Sequence, residues 1–393
     1  MTLFATIGKA HGLSALEAAI QATDHALSQV GRQQVVLAFI VASHDYPVRD
    51  VVNGVTGLLS DTPLFGFSSP AQITSERLDQ RSIVVALLAG DQVEAEGSWW
   101  SESSFQDIQY TGDALQAICN NYSDIQLLLS AIDLHIQDPL SMIDKIPSGK
   151  FGLGGCLAGG NLSSERSYQI GGNRFGQRGM AAVALRGQIK TAISSEHGWQ
   201  SIGIYSRVSH SSDYVIHTLD GQTVAEKYAQ FFGLNAKDWT YPPLNHLVRL
   251  YPLGVEWERP IPSGESSLKI HSPLRINTNG SMLMNSPVTK GSTAYYLIGS
   301  IENCLSAAKR AARQALEALG DAEPVLAIVI ADIAWQMMLP SQPGAEIQAV
   351  REVIGEHVPI VGGYTYGQIR RSGSGLPELL NQHIQIVLIG NPT

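Results

Sequence analysis

The sequence predicts an α/β protein whose internally duplicated strand-helix-turn-strand units form layered mixed sheets flanked by helices. Three short apolar runs, residues 35–42, 125–132 and 325–331, carry that prediction. Each is too continuous for a half-solvated strand and suits one covered on both faces. Each is followed by a segment with helical spacing, then by a glycine-marked stretch, then by another apolar strand. The glycine-rich turn takes the same slot all three times, the mark of a repeated unit rather than of generic alternation.

In chain order, Ser14 and Glu17 make a capping box. Leu13, Leu16, Ile20, Leu27 and Val30 give the helix behind it an apolar stripe. The first unit runs from its opening strand into a helix over 47–59, with Pro47 at an early helical position, a turn over 64–73 and a closing strand over 83–89. The second places a short helix over 139–146, its turn over 151–160 and its closing strand over 180–185. Thr223 and Glu226 open a further helix that ends near Gly233, and the proline-rich stretch 241–267 reads as turns and irregular chain. Ser300 caps a long helix with Ile301, Leu305, Ala308, Ala312, Leu316 and Leu319 on one face, stopped by Gly320. The third unit has a helix over 345–354, a turn over 359–369 and a closing strand over 384–389. A division near residue 205 is expected, giving domains 1–205 and 206–393.

The net charge of −9 is spread along the chain, and Lys309, Arg310 and Arg313 are the nearest thing to a basic cluster. They read as the solvated face of a helix, so nucleic acid is not an expected partner. Cys119, Cys156 and Cys304 are far apart and odd in number. They build no disulfide framework or zinc spacing and suit a reducing compartment. The start of the chain lacks the basic and apolar regions of a signal peptide, and no apolar run is long enough to span a bilayer. A cytoplasmic protein without membrane insertion is expected.

Several segments together resemble the FIST family. The stretch 63–73 is similar to the first signature of its N-terminal domain, and Gly154-Gly155 with Leu157-Ala158 to its second glycine turn. Residues 180–203, ending His197-Gly198-Trp199-Gln200-Ser201-Ile202-Gly203, resemble the junction that follows, and Leu219-Asp220-Gly221 its Leu-Asp-Gly hairpin. Residues 359–369, with Asn381-Gln382 before the last strand, resemble the C-terminal domain's Gly-x-Tyr-Thr-Tyr-Gly-Glu-Ile. The resemblance covers nearly the whole chain. It implies a cytoplasmic sensor of small ligands, acting in signal transduction through a partner protein. Amino acids are ligands suggested for the family, and some members bind haem. The chain departs from the family pattern at Gln72 and Gln368, where the family has Glu. An amide offers no charge to an ammonium group.

Ligands of α/β sheets favour the carboxyl ends of strands. Beyond the three opening strands lie Ser43-His44-Asp45, Asp133 with His135, and Asp332. The first turn adds Gly66, Ser68, Ser69 and Gln72, and the third adds Tyr364, Thr365, Tyr366, Gly367 and Gln368. Exposed backbone N–H groups and neutral side chains of this kind suit a pocket between the first and third turns, with Asp45 and Asp332 at its rim. No cofactor or metal is expected. Haem is the alternative, with His44 or His135 as ligand, and a protein-interaction scaffold is another. Cys156 has no base within view of the sequence, and the glycine spacing of 152–155 matches neither a dinucleotide fingerprint nor a phosphate loop. A non-catalytic protein is therefore expected.

Overall fold

The computed structural model describes residues 3–12, 14–75, 78–106, 125–164, 166–257, 267–371 and 375–392. Three six-stranded sheets share one strand order. The first runs Phe4–His11, Ser82–Ala89, Val35–Ser43, Leu64–Ser69, then the hairpin Gln169–Gly172 with Arg174–Gly176. The second runs Val93–Ser101, Gly179–Gly187, Ile125–Asp133, Gly152–Ala158, then Gln368–Arg371 and Pro377–Leu380. The third runs Lys190–Glu196, Ile384–Asn391, Glu323–Asp332, Ile360–Thr365, then Gln72–Thr74 and Leu78–Asp79. In each, a leading, a closing, an opening and a turn strand come from one unit, and the opening and turn strands form its parallel pair.

The last two places in every sheet are filled by another unit's hairpin. The first unit donates to the third sheet, the second to the first, and the third to the second. The exchange is cyclic, so no unit completes its own sheet. Strands from the two sides of residue 205 thus sit side by side in the second and third sheets.

Side chains alternate across the opening strands, as the two-residue strand period requires. Phe39 and Val41, Leu127 and Leu129, and Ile328 and Ile330 all point into one shared core, joined there by Phe65, Phe67, Cys156 and Val361. Their neighbours Ala38, Ile40 and Ala42 pack on the helices outside the first sheet, and Ala327, Val329 and Ala331 do so in the third. Burial on both faces is why these runs contain almost no polar residue. Each fully buried Ile or Leu stabilises the fold by about 2 kcal/mol.

The repeated glycine has a steric cause. Gly66, Gly155 and Gly362 occupy matching positions opposite Ile40, Ser130 and Val329. A Cβ there would lie 2.3, 2.1 and 1.8 Å from the carbonyl oxygens of those residues. Only a residue without a side chain lets the two parallel strands come this close.

Helix Ala15–Val30 turns a different face inward from the one its large residues predict. Leu16 and Ile20 are 41% and 40% exposed, while Ala15, Ala18, Ala19, Ala22 and Ala26 are buried. The cause is close approach: a Cβ on Gly8 would lie 1.9 Å from the Ala22 carbonyl oxygen, so there is room only for alanine. Helix Ile301–Leu319 likewise buries Ala307, Ala308, Ala311, Ala312 and Ala315. The Ser14 hydroxyl caps Glu17 N at 3.3 Å, and Thr223 with Glu226 forms a full reciprocal box.

Residues 199–299 build a fourth, eight-stranded antiparallel sheet. It is inserted between the leading strand Lys190–Glu196 of the third unit and that unit's helix Ile301–Leu319. It has its own aromatic core, with Tyr228, Trp239 and Tyr296 packed edge to face. Part of the proline-rich stretch is regular, since Leu253–Glu256 is a strand of this sheet and Leu244–Leu247 a single helical turn. Among the described residues no helix is long and apolar enough to cross a membrane.

Candidate functional site

The first and third turns do converge. The Ser69 hydroxyl accepts from Tyr364 N at 2.9 Å and is 3.0 Å from the Tyr364 carbonyl oxygen. They meet in direct contact, however, and their side chains are spent on one another and on the backbone. Ser68 Oγ accepts from Tyr168 N at 2.9 Å, and Thr365 Oγ1 reaches the carbonyls of Ala331 and Gly367 at 3.4 and 3.3 Å. Gln72 Oε1 accepts from Ser82 N at 3.0 Å, and Gln368 Oε1 from His383 N at 3.0 Å. Gly66 closes on Ile40, and the Gly367 carbonyl accepts from Leu157 N at 3.0 Å. The Tyr364 hydroxyl donates to Glu346. These residues are buried, and of the predicted turn residues Tyr366 alone lines one of the five main clefts among the described residues.

The two rim acids part company. Asp45 is on the surface, its side chain 51% exposed. Asp332 is fully buried, caps Ala334 N at 2.9 Å and is held by Arg249 Nη2 at 2.9 Å.

The main cleft lies beyond the carboxyl ends of the second unit's parallel strands, where α/β sheets receive ligands. Its volume is about 590 Å³. One wall is the loop 134–137 after the opening strand and the loop 161–164 after the turn strand; the other is the edge of the eight-stranded sheet, through Leu274, Arg275, Leu283 and Asn285. The cleft exists because the second unit's connection is long. Residues 70–71 and 366–367 link turn strand to hairpin in the other two units, whereas here the link is 159–168. Tyr366 is the predicted site residue that reaches this cleft, and His135 also lines it.

Three lining residues, Asn285, His135 and His246, have unmet hydrogen-bonding capacity, that of His246 at its buried Nδ1. Asn285 is buried and gives Nδ2 to the Tyr366 carbonyl at 2.6 Å, while its Oδ1 has no partner. His135 Nε2 is likewise buried and unpaired. A buried amide oxygen or ring nitrogen left this way costs about 1–3 kcal/mol. Tyr366 ties the cleft to the rest of the molecule. Its hydroxyl donates to the Gly160 carbonyl at 3.1 Å, its ring faces Arg249 at 4.8 Å, and its carbonyl accepts from Arg249 Nη2 at 3.2 Å. Burial pushes its phenol up, so it stays protonated.

Asn285, His246 and Arg275 were not among the predicted site residues. One signal was available: the second turn is longer than its two counterparts, and a long connection at a strand's carboxyl end is where a binding loop belongs.

Haem has one plausible foothold. His44 does not suit it, because a Cβ on Gly160 would already lie 2.8 Å from its ring. His135 lines the cleft, and its buried Nε2 has no hydrogen-bond partner. Among the described residues no group of three or more His, Cys, Asp or Glu could hold a metal ion. Cys156 and Cys304 are buried, and burial pushes both thiols up, away from the reactive thiolate; Cys119 lies outside the described residues.

Interlocked α/β sheets with a cleft at strand ends describe the architecture, and comparison supplies the family. The sequence matches the FIST N domain over residues 34–222 and the FIST C domain over residues 200–371. The chain belongs to the FIST family, whose domains are sensory, small-ligand-binding parts of signalling proteins. No curated protein matches it. Among solved structures, a cyanuric acid hydrolase aligns over the whole of both chains at 7% identity and a TM-score of 0.36. The cyanuric acid hydrolase from A. caulinodans aligns at 8% over 100% of this chain and 99% of its own, with a TM-score of 0.36. PurLQS from Thermotoga maritima aligns at 9% over 100% of this chain and 73% of its own, with a TM-score of 0.26. The expectation of a non-catalytic protein does not stand, since the structures aligned with the chain include a hydrolase at weak fold similarity. Likeness this distant assigns the chain no reaction.

Proposed function

We propose that this protein binds a small ligand in the cleft between the second unit's loops and the eight-stranded sheet, and passes the event to a signalling partner protein. The observation that carries the reading is Asn285. Its unpaired Oδ1 belongs to a cleft-lining side chain, and its Nδ2 holds the same Tyr366 carbonyl that Arg249 holds. A ligand bonded to Asn285 would therefore bias how the inserted sheet sits on the three-sheet body, a shift between two packings. Two buried thiols with no disulfide among the described residues support a cytoplasmic location. The scattered charge supports a protein partner rather than nucleic acid.

A thermal-shift screen over metabolite classes tests this. A ligand at a hundred times its dissociation constant adds about 2.7 kcal/mol of stability. The shift should shrink in Leu283→Trp, which narrows the cleft. A screen with no responding class counts against the reading.

A second reading is haem bound through His135, which would supply a centre for diatomic gases. The unpaired Nε2 favours it. Added haem should then give a Soret band that His135→Ala abolishes.

A further inference from the structure

The cleft's charge pattern narrows its ligand, given the reading of the cleft as the binding site. Arg178, Arg275, His135 and His246 line it, and among the described residues no Asp or Glu does, although the chain's net charge is −9. Two carboxylates stand just behind the wall, and both are engaged. Glu102 accepts from Arg178 Nε at 2.9 Å and from Gln137 N at 2.6 Å. Asp138 accepts from the Tyr214 hydroxyl at 2.6 Å and from Ser141 N at 3.2 Å.

Arg178 is thus neutralised where it stands. Arg275 is not. Its Nε donates to Asn277 Oδ1 at 3.3 Å, and among the described residues no carboxylate pairs with it. His246, held below its ordinary range by burial and by the Arg275 charge, is a neutral hydrogen-bonding group beside that guanidinium. The remaining wall mixes polar groups such as Gln137, Asn161, Ser163 and Ser164 with an apolar part made by Ile136, Leu162, Leu274, Leu283 and Met284. An ammonium group entering here would shed water opposite a cation, with no lining acid among the described residues to receive it, and an unpaired charge is the costliest group to desolvate.

We infer that the cleft takes a small organic carboxylate with an apolar body and no ammonium group, its carboxylate against Arg275 and its body against Ile136, Leu162 and Leu283. Free amino acids are thereby disfavoured.

Four probes with one ring separate the possibilities on the full chain: phenylacetate, phenylalanine, phenethylamine and benzyl alcohol, followed by thermal shift and calorimetry. Phenylacetate should bind at least about tenfold more tightly than phenylalanine or phenethylamine. Arg275→Gln should weaken phenylacetate about tenfold, the worth of a charge-assisted bond, and leave the melting point of the free protein in place because the residue is exposed. Equal or tighter binding of phenylalanine or phenethylamine overturns the inference, as does phenylacetate binding indifferent to Arg275→Gln. Should benzyl alcohol alone bind, and lose binding in Leu283→Trp, the carboxylate assignment falls and the cleft reading stands. Should none of the four bind, both fall.

Discussion

Arg249 holds Asp332 in a bidentate ion pair, with Nη2 2.9 and 3.0 Å from the two carboxylate oxygens and Nε 3.2 Å from Oδ1. Both side chains are fully buried. The pair joins the inserted sheet to the end of the third opening strand, and its surroundings support it: Gln382 N donates to Oδ2, the Pro273 carbonyl accepts from Arg249 Nη1, and the Tyr366 carbonyl accepts from Nη2. Removing one member strands the other's charge. Asp332→Ala should cost about 3–5 kcal/mol in urea unfolding. A loss under about 1 kcal/mol, the range of exposed pairs, would show that the joint does not depend on this contact.

Gly155→Ala tests the steric origin of the repeated turn. Its Cβ would sit 2.1 Å from the Ser130 carbonyl oxygen, and the nearest atoms are all Ser130 backbone, with no flexible side chain to yield. Overpacking of this kind costs about 1–3 kcal/mol and at times more. Gly203→Ala is a useful contrast, since nothing lies near that position and its φ of +78° makes the cost one of backbone strain alone. Equal losses in the two variants would mean that strand approach is not what selects glycine at position 155.

Two histidines should make the fold acid-sensitive. Burial lowers His197 to about 4, with Arg310 adding to the shift and Glu196 opposing it. His383, whose ring is 4.9 Å from that of His197, is lowered well below its ordinary value by burial, His197 and Arg370. Both are depressed, so the unfolded chain binds the protons more readily. Their stability contribution is complete above about pH 6.5 and is lost as pH falls from there through about 4. Urea midpoints between pH 7.5 and 4.5 should fall with a slope approaching about 1.4 kcal/mol per pH unit per ring. The slope should flatten in His197→Gln with His383→Gln.

Glu346 works in the opposite direction. Burial raises its carboxyl, against the hydrogen bond from the Tyr364 hydroxyl, and its second oxygen has no partner. A raised acid favours the protonated folded state, so stability is complete below the ordinary carboxyl value and declines as pH rises through the folded one. Glu346→Gln keeps an oxygen for Tyr364 and removes the charge. It should be neutral at pH 4 and more stable than the parent at pH 8. A variant less stable than the parent at pH 8 would place a needed anion there.

The sequence made the sheets legible and the site much less so. Continuous runs such as 35–42 are readable because burial on two faces leaves no place for a polar residue, and Gly66, Gly155 and Gly362 are readable because backbone contact tolerates nothing larger. The cyclic exchange of hairpins is invisible in one dimension, since Gln72 to Thr74 reads equally well as part of any sheet. The helix face was misread for a related reason: spacing rewards large residues such as Leu16, while the contact with Gly8 selects alanine. For the site, the turn residues Ser69 and Thr365 carry the polar groups that a pocket would need. Those groups also suit the bonds that lock one turn to the other, and sequence alone does not separate the two uses.

Gln169 allows the cleanest separation of structural amides from spare ones. It is the first residue of the donated hairpin, as Gln72 and Gln368 are of theirs, and each is followed in its unit by a left-handed residue just before the closing strand: Arg81, Arg178 and Gln382, with φ of 52°, 50° and 61°. Gln72 and Gln368 satisfy the next backbone N–H, of Ser82 and His383. Gln169 is buried with neither amide atom bonded. A buried polar group without a partner costs about 1–3 kcal/mol, and so does a backbone donor that loses its acceptor. Gln169→Leu should therefore be neutral or stabilise the fold by about 1 kcal/mol, whereas Gln72→Leu and Gln368→Leu should each cost about 1–3 kcal/mol. Urea midpoints on the three single variants decide it. Three similar losses would mean that Gln169 bonds as its counterparts do, and a loss confined to Gln169→Leu would assign that amide a partner the other two lack.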